Sequence, residues 1–83
     1  MKIVIYTTSY CPFCDAAKNL LKSLNIEFDE VDLTDNLEER LEISTKYNWR
    51  TVPLILINNK LIGGFDELNN LNNNGELKSL LSS

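Results

Sequence analysis

Near the start of this chain a β-branched and aromatic block, Ile3-Val4-Ile5-Tyr6-Thr7, runs through Thr8-Ser9-Tyr10 into Cys11-Pro12-Phe13-Cys14. Such a block favours an extended strand, and a proline shortly after it marks the first position of a helix, where its missing N–H costs nothing. The apolar residues that follow keep helical time. Ala17, Leu20, Leu21 and Leu24 fall at i, i+3, i+4 and i+7, so one stripe packs on a sheet while Asp15, Lys18, Asn19 and Lys22 face outward. Asn25 closes this helix. A strand feeding straight into a helix commits the chain to an α/β layering, with a right-handed crossover to a parallel second strand.

The rest of the sequence continues that pattern. Glu27-Phe28-Asp29-Glu30-Val31-Asp32-Leu33 reads as a strand in which Phe28, Val31 and Leu33 follow the two-residue alternation loosely. Asp35 with Glu38 has the form of a capping box, and Leu37 and Leu41 begin the apolar face of a charged helix running to about Tyr47. Leu54-Ile55-Leu56-Ile57 is a buried strand, and Asn58-Asn59 is a tight turn into Lys60-Leu61-Ile62, making a hairpin that Gly63-Gly64 ends. Phe65-Asp66-Glu67-Leu68 starts a final helical region through Leu71. A loop over Asn72-Asn73-Asn74-Gly75 then precedes further helix at Leu77, Leu80 and Leu81. The order β-α-β-α-β-β-α predicts a four-stranded mixed sheet with helices on both faces. With 83 residues, 43% of them hydrophobic, one core is filled and a second is not, so residues 1–83 are expected to form a single domain.

Composition narrows the function. The net charge is -4 and the eight basic residues are scattered, which argues against nucleic acid as a partner, because phosphate binding needs clustered cations. The longest apolar runs fall far short of the roughly 20 residues that span a bilayer, so no membrane is expected. Met1 to Tyr6 lacks the long apolar stretch and small-residue cleavage site of a signal peptide, and the expected location is cytoplasmic.

Both cysteines sit in one Cys-x-x-Cys and the chain has no histidine. Closing so short a loop removes little unfolded-state entropy, which makes a structural staple a weak reading. A structural zinc site wants four ligands, and carboxylates or a second chain would have to supply the rest. Two thiols buried as small hydrophobes is a further reading. The proline favours a redox pair. Cys11 at the helix start faces unpaired N–H groups and the positive end of the helix dipole, which stabilise a thiolate without a histidine. Cys14, one turn inside on nearly the same side, is placed to attack a mixed disulfide on Cys11 and release its partner.

Three separated elements, Cys11-Pro12-Phe13-Cys14 after a strand, Thr51-Val52-Pro53 before the third strand, and Gly63-Gly64-Phe65-Asp66 at a helix start, together resemble the glutaredoxin family over nearly the whole chain. They separate it from thioredoxin, which carries Gly-Pro between its cysteines. The resemblance implies a thioredoxin fold of dithiol, small bacterial-like type, with Cys11 and Cys14 catalytic and a cis peptide at Val52-Pro53 facing them. It implies no tightly bound cofactor, with glutathione as the reducing co-substrate. The expected partners are glutathione and disulfide-containing or glutathionylated proteins, ribonucleotide reductase among them, acted on by a monomer.

Glutathione would pair with the Val52 N–H and C=O as a short added strand. Gly64 and the N–H groups of Phe65 and Asp66 would receive its γ-glutamyl carboxylate, and Asp66 would accept from its ammonium or cap the helix. Phe13, where the family often has Tyr, would pack on the substrate, and Arg50, beside Thr51, and Lys46 are candidates for the glycyl carboxylate. Thr8 and Leu54 depart from the Lys and Gln common at those positions and remove polar contacts there. Trp49 reads as a packing residue. Two rival readings are an electron donor reduced by thioredoxin reductase, and a non-enzymatic carrier in which two chains share a 2Fe–2S cluster through Cys11 and glutathione. Cys14 and Pro12 argue against the carrier.

Overall fold

The chain runs β1 (Ile3–Thr7), α1 (Pro12–Ser23), β2 (Asp29–Asp32), α2 (Leu37–Tyr47), β3 (Leu54–Ile57), β4 (Lys60–Gly63), α3 (Phe65–Asn73) and α4 (Glu76–Ser82). This is a computed structural model, which describes residues 2–82 and the side chains of residues 2–80. The sheet order is β2-β1-β3-β4. β1 pairs parallel with β2, Tyr6 opposite Val31, and antiparallel with β3, Ile5 opposite Ile55. A parallel partner cannot be reached by a tight turn, and α1 provides the crossover. β3 lies between two strands and is buried throughout, which is why its sequence is an unbroken apolar run.

The two sides of β1 face different layers. Ile3 and Ile5, with Ile55 and Ile57 of β3, meet Ala17 and Leu21 of α1, Leu68 of α3 and Leu77 of α4 in the main core. Burying each such Leu or Ile contributes roughly 1.5–3 kcal/mol. On the other side Tyr6 and Leu54 share a hollow with Ile43 and Ser44 of α2. The hairpin turn takes the form its sequence predicts. Asn58 and Asn59 have φ of 52° and 68°, the left-handed pair that a two-residue hairpin needs. Gly63 belongs to β4 opposite Ile55, while Leu61 faces Leu56, so Ile62 is an extra residue in a bulge.

Five expectations are corrected, four of them at element ends. α1 stops at Ser23, leaving Leu24 outside the helix and 40% exposed. Asn25 turns left-handed at φ 58°, and Ile26 folds back instead, its N–H donating to Leu21 O at 2.9 Å while Asn25 N–H donates to Lys22 O at 3.0 Å. β2 is shorter than residues 27–33, although Leu33 still donates its N–H to Thr7 O at 2.8 Å.

The cap of α2 is Asn36, one residue after Asp35. Its Oδ1 accepts from Glu39 N–H at 3.1 Å and its Nδ2 donates to Glu39 Oε2 at 2.9 Å. Leu37 and Leu41 are exposed at 67% and 59%, because the helix docks through Ile43 and its neighbours, about 200° around the axis from Leu41. Finally, Asn72 and Asn73 are helical, and the break is Asn74 and Gly75, the latter at φ +83°. Leu77 is buried and Leu80 is 37% exposed, while Leu81 lies outside the described side chains.

Candidate functional site

β1 delivers the chain to a short loop above the end of the sheet. Ser9 holds that loop to the segment after β2, its N–H donating to Thr34 Oγ1 at 2.7 Å, and Thr34 N–H in turn donates to the Asp32 carboxylate at 2.9 Å. Cys11 follows as the N-cap of α1, with extended backbone, and Pro12 is the first helical residue. A serine or threonine usually occupies a cap, its oxygen accepting from the free N–H groups. Here Cys11 Sγ does so, accepting from Cys14 N–H at 3.1 Å.

The two cysteines are joined as a disulfide, with Cα atoms 5.2 Å apart. They are unequal. Cys14 is 1% exposed within the helix base, whereas Cys11 is half-buried and opens toward Val52, whose carbonyl oxygen lies 3.7 Å from its sulfur. The Val52-Pro53 peptide bond is cis. Beside it runs a cleft of about 380 Å³ lined by Phe13, Trp49, Thr51, Val52, Pro53, Phe65, Asp66 and Glu67. The Phe13 and Phe65 rings, both in its lining, are neighbours with centroids 6.3 Å apart.

Gly64 lies close against Pro53 and Trp49 of this cleft. A Cβ on it would lie 3.4 Å from Glu67 Oε1 and 3.5 Å from Pro53 O, so glycine lets the start of α3 approach the Pro53 backbone. Asp66 is not the helix cap. Gly64 takes that position and donates its N–H to Glu67 Oε1 at 2.8 Å, which leaves the Asp66 carboxylate exposed on the cleft wall.

The structure therefore gathers Cys11, Cys14, Phe13, Thr51, Val52, Pro53, Gly64, Phe65 and Asp66 at one end of the sheet. Arg50 lines an adjoining hollow that shares Trp49, Thr51 and Val52 with the cleft. Lys46 is turned elsewhere, 5.3 Å above the Tyr47 ring. Arg40 joins Arg50 in the adjoining hollow and was missed from sequence, where it reads as one more charge on a charged helix. Trp49 packs as one wall of the cleft, with its indole N–H buried and without an acceptor among the described residues.

A second group missed from sequence braces α1 from below. The buried Thr7 hydroxyl donates to Glu30 Oε2 at 2.7 Å, and Lys18 Nζ reaches the same oxygen at 3.0 Å. The Thr7 hydrogen bond, aided by Lys18, holds the Glu30 carboxyl below its ordinary value against the opposing effects of burial and Asp32. The Glu30 hydrogen bond in turn raises Lys18.

Among the described residues, no group of three His, Cys, Asp or Glu side chains is placed to hold a metal ion. A larger open hollow of about 580 Å³ lies at the other end of β1, around Lys2, Ile3, Lys22 and Phe28, and it contains neither cysteine.

Comparison with known proteins agrees with this geometry. The family model described as Glutaredoxin matches residues 3–62. A protein of Pseudomonas aeruginosa named glutaredoxin is 41% identical over 81 residues, covering 98% of this chain and 96% of that protein. A crystal structure of wheat glutaredoxin superposes with a TM-score of 0.91 at 36% identity, covering 99% of this chain and 80% of that one. A crystal structure of a buckwheat glutaredoxin–glutathione complex superposes with a TM-score of 0.87 at 26% identity, covering 96% and 76%.

Proposed function

Because the chain belongs to the glutaredoxin family, whose members are generally thiol–disulfide oxidoreductases, we propose that it reduces protein disulfides and glutathione mixed disulfides through Cys11 and Cys14, with glutathione as electron donor. The observation that carries this reading is the sulfur of Cys11 serving as the cap of α1. A thiolate there accepts from the Cys14 N–H and meets the positive end of the helix dipole, which favours the charged sulfur as nucleophile.

The exchange balances over two half-reactions. The Cys11 thiolate attacks one sulfur of a substrate disulfide, forming a mixed disulfide and expelling the other sulfur as a thiolate that takes up a proton. Cys14, deprotonated in turn, attacks the Cys11 sulfur, closes the internal disulfide and releases the second substrate thiol. Two glutathione thiols then return the enzyme to its dithiol. The first opens the Cys11–Cys14 bond as a Cys11 adduct, and the second takes that glutathione away as glutathione disulfide.

The cleft suits a tripeptide with a charge at each end. Val52 offers its N–H and C=O to an extended backbone, and Phe13 and Phe65 flank it. Asp66 and the free N–H groups at the start of α3 take the ammonium and carboxylate of the γ-glutamyl end. Arg50, with Arg40 beside it, takes the glycyl carboxylate. The buckwheat protein crystallised with glutathione supports this choice of ligand. On this reading the protein works as a single domain and a monomer in the cytoplasm, without a tightly bound cofactor. Its protein substrates are disulfide-bonded or glutathionylated proteins, ribonucleotide reductase among them.

The test follows NADPH oxidation with glutathione, glutathione reductase and the mixed disulfide of glutathione with 2-mercaptoethanol. Turnover that requires both this protein and glutathione is expected. If NADPH is consumed only when thioredoxin reductase replaces glutathione and its reductase, the assignment of the electron donor is wrong.

A further inference from the structure

Tyr10 is the most exposed large apolar side chain among the described residues, at 103% of the reference accessibility, and it immediately precedes Cys11. Its backbone is also unusual, with φ at 56°, the left-handed region that a bulky residue adopts at a cost and that glycine or asparagine adopts readily. Neither packing nor backbone preference therefore explains a tyrosine here. The loop beneath it is held firmly, because Ser9 Oγ lies 3.0 Å from Thr34 Oγ1 in addition to the bond from its N–H. The ring thus stands on a fixed base, uncovered, one residue from the sulfur.

Tyr10 is not among the residues that line the cleft between Phe13 and Asp66. A tripeptide confined to that cleft would leave its ring bare. A polypeptide whose disulfide Cys11 attacks, including one joined to glutathione, extends past that cleft, and successive Cα atoms are only 3.8 Å apart, so its flanking residues would pass beside Tyr10. Resting on the oxidoreductase reading above, we infer that Tyr10 is a specificity-determining residue for polypeptide substrates. The protein chain flanking the disulfide covers the ring, while small glutathione adducts do not touch it.

Two substitutions separate the ring from the backbone it stands on: Tyr10→Asn keeps a residue suited to positive φ and removes the ring, and Tyr10→Phe keeps the ring. Each is assayed on glutathionylated serum albumin and on the mixed disulfide of glutathione with 2-mercaptoethanol. Loss of an interface aromatic should lower kcat/KM of Tyr10→Asn on albumin about fivefold or more. The same variant should match the unaltered protein on the small substrate, and Tyr10→Phe should match it on both. Equal rates on albumin, or an equal fall on both substrates, would overturn the inference while leaving the oxidoreductase reading in place. A wild-type protein inactive on the small mixed disulfide would instead remove that reading, and the inference with it.

Discussion

Cys11 and Cys14 are separated by one turn of helix, and that turn divides their chemistry. The free N–H groups lie at the helix start, so only Cys11 gains them, while Cys14 sits deeper and 1% exposed. Cys11→Ser should abolish turnover, since a hydroxyl is a poor nucleophile at neutral pH. Cys14→Ser should stay active on glutathione mixed disulfides, where a second glutathione resolves the adduct, and lose most activity on protein disulfides. Steady-state rates on the two substrates check both outcomes, and faster alkylation of Cys14 than of Cys11 at neutral pH would reverse the assignment. The Thr7, Glu30 and Lys18 brace gives a second prediction. Glu30 has a lowered folded pKa, so its contribution to stability is complete above its ordinary value of 4.5 and is lost as pH falls through the folded value. Lys18 is raised, so its contribution is complete below 10.5 and is lost as pH rises through the folded value. Thr7→Val should move Glu30 back toward its ordinary value and cost about 0.5–1.5 kcal/mol, read by an NMR titration of the Glu30 carboxyl and by denaturant unfolding.

At the level of the elements, the cap of α2 offers a direct test. Asn36→Ala should cost about 1 kcal/mol in unfolding free energy, and Asp35→Ala should cost only a few tenths. Comparable losses would return the cap to Asp35. The sequence could not separate these residues, because Asp35 with Glu38 and Asn36 with Glu39 satisfy the same spacing, and only the chain's exit from β2 decides between them. Leu37 and Leu41 misled for a related reason: a short charged helix has two weak apolar stripes, and docking on Tyr6 and Leu33 selected the one containing Ile43. Where one residue dictates the backbone, the reading survived. Asn25 turns the chain away just past the end of α1, Asn58-Asn59 turn the hairpin, and Pro12 opens the helix beneath Cys11. The cleft was legible because three short motifs converge on it. Arg40, Thr7 and Glu30 were not, since their roles depend on neighbours distant in the chain and carry no local pattern.

For the whole molecule, the sheet order places β2 at one margin with an unpaired backbone edge. Such an edge is a template for another copy's strand. The exposed side chains on this strand are Asp29, Glu30 and Asp32, so two copies brought edge to edge would meet acid against acid. Hydrogen bonding from the Thr34 side chain lowers Asp32, and Glu30 is lowered through Thr7, so both stay ionised at acidities where ordinary carboxylates have begun to neutralise. The contacts that order the loop and brace the helix thus also favour the charged form of two carboxylates on this edge strand. Light scattering on concentrated solutions should show no growth in particle size near neutral pH. Replacing Asp29 and Asp32 with asparagine should bring on strand-to-strand association at a milder acidity than in the unaltered protein.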